Sequence, residues 1–113
     1  MILGYKMADS DVKVNGDFVI SQNELTFFCE RNHISGLSLF GSVLGKDFGE
    51  ESDIDVLVEF EPDHIPGYLG LARIEEEFSL LMGRKVDLNT SKSLSRYFRS
   101  EVIEQAENLY EKR

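Results

Sequence analysis

The chain has 113 residues, 42% of them apolar and 29% charged, with a formal net charge of −9 and a single cysteine, Cys29. That length supports one domain, 1–113, with a modest core. No run approaches the roughly 20 apolar residues that cross a bilayer, Cys29 has no partner for an internal disulfide, and the excess of acid repels a polyphosphate backbone. These features argue against a membrane protein, a disulfide scaffold and a non-specific nucleic-acid binder. The acid is concentrated, since residues 37–66 carry one basic and eight acidic side chains. The opening Met1-Ile2-Leu3-Gly4-Tyr5-Lys6 lacks the apolar segment of a signal peptide, so the expected location is cytoplasmic.

Residues 1–11 show no period and are expected to fray. Residues 12–20 read as an accessory β-hairpin, with Asn15-Gly16 as its two-residue turn. Ser21 and Glu24 are spaced as a capping box, and Ile20 and Leu25 as a hydrophobic staple, so a helix begins at Ser21 and stops near Asn32. Leu25, Phe28 and Cys29 form its apolar stripe, with Cys29 as a small core residue. His33, at the helix end, and His64, in a later loop, read as surface residues and are left out of the site.

Ile34 to Phe40 enters the first core strand, which ends at Gly41-Ser42. Lys46 to Glu51 is a polar loop, and Ser52 is placed to hold the turn into Asp53 by a local hydrogen bond. Ile54 to Phe60 follows as a central strand with apolar residues on both faces beyond Asp55. After the loop 62–66 a helix runs from Gly67 to Met82. Leu71, Ile74, Phe78, Leu81 and Met82 recur on one side of it, Glu75, Glu76 and Glu77 make up most of its wet side, and Gly83 is its C-cap. Val86-Asp87-Leu88 reads as a short strand. A last helix is expected from about Leu94 to Glu111, with Phe98, Val102, Ala106 and Leu109 on its buried side.

The chemistry concentrates at Gly41-Ser42, Asp53-Ile54-Asp55 and Asp87. Alternation along a strand puts Asp53 and Asp55 on one face, roughly 6–7 Å apart. Carboxylates so placed repel, and a hard divalent cation relieves the repulsion by taking oxygen ligands from both. Asp87 is the third candidate, because an acid between apolar strand residues is costly near a sheet centre unless paired or metal-bound; the competing reading is an edge strand with Asp87 facing water. Gly41 permits close backbone approach by a ligand, and Ser42 offers a hydroxyl to a phosphate oxygen. An ordinary strand-to-helix turn with Ser42 as N-cap is the alternative.

Gly-Ser, ten residues, Asp-x-Asp and a third Asp on a later strand resembles the nucleotidyltransferase superfamily, in particular its minimal members. The resemblance spans almost the whole chain. It implies an α/β (α+β) fold, a small mixed central sheet flanked by helices, with the N-terminal hairpin added. It implies that Asp53, Asp55 and Asp87 are the catalytic and Mg²⁺-binding residues, that Gly41 and Ser42 hold the β- and γ-phosphates of ATP, and that Asp87 helps deprotonate the acceptor. Where many members carry Arg-Gly soon after Gly-Ser, this chain has Leu44-Gly45-Lys46, which leaves Lys46 as the phosphate-facing cation. Arg84 and Lys85 are further cations near the motif. The absence of an added acceptor-binding domain points to the antitoxin members, which transfer AMP to a HEPN-type toxin partner. A homo- or hetero-oligomer fits this class. The alternatives are a binding module that neutralises a partner by contact alone and an enzyme with a small-molecule acceptor.

Overall fold

Short β-forming runs separated by turn residues become strands here wherever an apolar face can be buried. The computed structural model describes residues 11–16 and 18–112. Most of the segment expected to fray, residues 1–10, lies outside the described residues. β1 (Val12–Asn15) and β2 (Phe18–Ile20) pair antiparallel as the predicted hairpin. Asn15 pairs with Phe18, so it belongs to the strand and is not a central turn residue. Gly16 takes φ +55°, the left-handed conformation a tight hairpin loop demands.

Helix α1 (Gln22–Arg31) starts where predicted, with the Ser21 hydroxyl accepting the Glu24 N–H at 3.4 Å. Strands β3 (Ile34–Phe40) and β4 (Ile54–Phe60) pair antiparallel. Helix α2 (Tyr68–Met82) closes on Gly83 at φ +71°. Strand β5 (Val86–Asn89) then lies parallel to β4. The mixed four-stranded sheet has the order β5-β4-β3-β6.

Strand β6 corrects the expectation of a long last helix. Helix α3 spans only Arg99–Gln105, Ala106 turns extended at ψ 142°, and Glu107–Glu111 forms β6, antiparallel to β3. The reason is non-local. The free edge of β3 presents a row of unpaired backbone groups, and residues 107–111 satisfy it while burying Leu109 and Tyr110.

The core lies between one face of the sheet and helices α1 and α2. Phe28 of α1 stacks on Phe78 of α2 with ring centroids 4.6 Å apart, and both join Leu25, Ile54, Val56 and Val58 in one buried cluster. Alternation therefore turns Asp53, Asp55, Leu57 and Glu59 to the opposite face. Leu57 is buried there but stands outside the main cluster, so β4 is less evenly covered on its two faces than a run of apolar residues predicts.

Strand β5 is an edge, and α2 closes it. The Val86 N–H donates to Ser79 Oγ at 2.9 Å and the Leu88 N–H to Glu75 Oε2 at 2.8 Å. Glu75 is thus an edge cap and not a wet-side charge, while Glu77 faces Arg31 and accepts from Asn32 Nδ2 at 3.3 Å. Among the described residues, no helix is long and apolar enough to cross a membrane.

Candidate active site

The parallel pairing of β4 and β5 sets the site. Its register opposes Ile54 to Val86 and Asp55 to Asp87. Ile54 and Val86 are buried in the core, so Asp55 and Asp87 both turn to the opposite face. Their carboxyls stand close enough for the charge of one to act on the other. Asp55, half-buried, is held above the ordinary carboxylate value, first by burial and then by the charges of Asp87 and Asp53. The sequence places Asp87 near the sheet centre or on a wet edge; it is exposed on the edge strand and still beside Asp55.

Asp53 stands at the mouth of β4, exposed, with Oδ2 3.8 Å from Lys85 Nζ. Its charge reaches Asp55, although the three carboxyls do not all lie within 4.8 Å of one another. Three hard oxygen donors grouped at this end of β4 and β5 suit a hard divalent cation.

Gly41 abuts this pair. Phe40 pairs with Asp55 across β3 and β4, and Gly41 then turns at φ +75°. A Cβ at that position would overlap Asp55 Oδ2, so only glycine brings the chain so close to the carboxyl. Residues Gly41–Leu44 form one 3-10 turn with Ser42 exposed. Lys46 is exposed in the turn that follows. An open groove of about 420 Å³ runs from Gly41 to α3, lined by Phe40, Leu44, Phe98 and Val102 among others.

Two residues outside the motif hold its halves in place. Asn15 Nδ2 of the hairpin donates to Val43 O at 2.6 Å and to Gly45 O at 3.4 Å, so the accessory ribbon fastens the Gly41-Ser42 turn. Arg84 Nη2 donates to Gly49 O at 2.5 Å and Ser52 O at 2.6 Å, and its guanidinium covers the Phe48 ring at 4.5 Å. Phe48 in turn stacks on Phe18 of the hairpin. Arg84 is therefore engaged with the loop that delivers Asp53. Ser52 holds that loop as its position predicts, accepting the Gly49 N–H at 3.1 Å and donating its own N–H to Gly49 O. Asn15 and Arg84 act across 28 to 35 residues of chain, and no local pattern announces such bonds.

A strand-elbow-strand unit carrying Gly-Ser and convergent aspartates is the frame of a nucleotidyl-transferring enzyme, and comparison with known proteins agrees. The nucleotidyltransferase domain family matches residues 23–110. "Putative protein adenylyltransferase MJ1379" of Methanocaldococcus jannaschii is 33% identical over 76 residues, covering 67% of this chain and 76% of that protein. The chain therefore belongs to the nucleotidyltransferase family, as one of its minimal members.

Solved structures agree on the fold. A crystal structure of a toxin-antitoxin with AMP-PNP superposes with TM-score 0.65 at 20% identity, covering 80% of this chain and 73% of that one. A complex of the tri-AMPylated Shewanella oneidensis HEPN toxin with its MNT antitoxin superposes with TM-score 0.57 at 21% identity, covering 80% and 69%.

Proposed function

We propose that this chain is a Mg²⁺-dependent protein adenylyltransferase that moves AMP from ATP onto a hydroxyl of a HEPN-type toxin partner and so acts as its antitoxin. The observation that carries this reading is the opposed pair Asp55 and Asp87, in register on neighbouring strands beside a Gly41 turn that admits no side chain. The names of its M. jannaschii relative and of its fold neighbours support the choice of donor and partner. The reaction consumes ATP, and the cytoplasm is the compartment that suits it.

Asp53 and Asp55 would hold Mg²⁺, with Asp87 completing the set on the acceptor side. Bound there, the ion supplies charge neutralisation for the triphosphate and the departing pyrophosphate. The Gly41 turn and the Ser42 hydroxyl hold the β- and γ-phosphates, with Lys46 as the added cation. The groove between Gly41 and α3 receives the remainder of the nucleotide or the acceptor. The acceptor oxygen attacks the α-phosphorus, its proton passes to the Asp87 carboxylate, and the bond from the α-phosphorus to pyrophosphate breaks.

The test is label transfer. With ATP labelled at the α-phosphate, Mg²⁺ and the HEPN partner, the wild-type chain labels the partner, and a folded D53N/D55N chain does not. Labelling by that variant overturns the assignment. Masking by contact alone is the second reading, and the exposed Tyr68, Leu69 and Tyr97 favour it by offering apolar surface to a partner. Full-strength neutralisation by the unlabelling variant would select masking.

A further inference from the structure

The chain has two histidines, and they meet. His33 lies between α1 and β3, and His64 lies in the 3-10 turn Pro62–His64 beyond β4. Their rings stack with centroids 3.7 Å apart. Glu61 completes the group, and one ligand atom from each of the three residues lies within 4.8 Å of the others, the only such trio among the described residues. The group sits at the opposite end of β4 from Asp53, roughly 25 Å away along the strand.

The backbone under the trio is interlocked. The Glu61 N–H donates to His33 O at 2.9 Å, and the His64 N–H donates to Glu61 O at 2.9 Å. His33 holds φ +56°, the single non-glycine residue at positive φ among the described residues. Such a conformation persists only where its surroundings enforce it. The Glu61 carboxylate is divided between two duties. Oε1 accepts from Lys112 Nζ at 2.9 Å, and Oε2 faces His33 Nδ1 at 3.9 Å. A carboxylate steadied on one oxygen and open on the other is how metal ligands are commonly oriented.

We propose that His33, Glu61 and His64 form a site for a borderline divalent transition ion, zinc foremost, separate from the aspartate site and independent of the function proposed above. Two imidazoles and one carboxylate are the donors such an ion prefers, whereas Mg²⁺ prefers oxygens alone. Ligands of a tetrahedral zinc ion stand about 3.3 Å apart for bonds of 2.0–2.1 Å, so the trio must contract. His64 is exposed and turns inward to do so. Water takes the fourth position. The ion would clip the end of α1 to the start of the loop before α2.

Proton NMR of the untagged chain tests this directly, because each histidine gives its own imidazole signals. Addition of Zn²⁺ shifts or broadens both sets together, complete at one equivalent, and raises the melting temperature. D53N/D55N behaves in the same way. H33N, chosen because asparagine tolerates the left-handed backbone, and H64Q lose the effect. Imidazole signals unmoved by excess Zn²⁺, signals of one histidine moving alone, or equal binding by H33N/H64Q would each overturn the site.

Discussion

Asp55 shows how one side chain sets stability against chemistry. Its carboxyl is raised above the ordinary 3.8, chiefly by burial and then by Asp87 and Asp53. Between the ordinary and the raised value the folded chain keeps a proton that the unfolded chain has lost. Stability therefore falls as pH rises through that interval and stays lower above it. D55N removes the charge and keeps the shape. Without divalent metal it melts higher than wild type at pH 7, and the gap closes as pH drops below the ordinary value. Thermal melts in EDTA across pH check this, and a D55N chain that melts lower at pH 7 contradicts it. Added Mg²⁺ raises the wild-type melting temperature at neutral pH and leaves D55N largely unmoved, since an ion that binds only the folded state stabilises it.

Among the elements, the loop between the 3-10 turn and β4 depends on Arg84, and the form of that dependence is testable. The guanidinium spans Gly49 O and Ser52 O while covering Phe48, which uses its planar fork and its face as well as its charge. R84M leaves the core untouched and lowers transfer by roughly 10–100-fold, the usual effect of losing a residue that positions metal ligands. R84K restores little, because an ammonium reproduces the charge and not the fork. Rescue by lysine in a transfer assay would mean that Arg84 acts as a simple phosphate-facing cation.

What was legible along the chain divides at this same scale. The cap at Ser21, the stop at Gly83 and the strands around Gly41 and Asp53 are local signals, and the structure places each where the residues predict. The C-terminus was not legible. Val102, Ala106 and Leu109 fit a helical stripe as well as a helix followed by a strand, and only the distant edge of β3 decides between them. Asn15 read as a turn residue for the same reason, since its hydrogen bonds to Val43 and Gly45 exist only after the hairpin docks.

For the whole molecule, the sheet separates two ends. At the mouth of β4 the acid concentrated in residues 37–66 supplies Asp53 and Asp55, and β5 adds Asp87 in register. At the far end the two histidines and Glu61 gather around a backbone interlock. Helices α1 and α2 cover the other face, and their Phe28 and Phe78 rings stack within the core. The field of a −9 chain favours cations and turns polyanions away, so ATP is expected to bind with its metal.

The central claim is that Asp87 works with Asp53 and Asp55 as one group, although it is exposed on the edge strand, 32 residues beyond Asp55. The most direct measurement is the single-turnover rate of AMP transfer by D87N at saturating ATP and Mg²⁺. Loss of a group that accepts the acceptor's proton lowers that rate by about 10²–10⁴-fold, while the melting temperature does not fall. A D87N chain that transfers AMP at the wild-type rate would contradict the account.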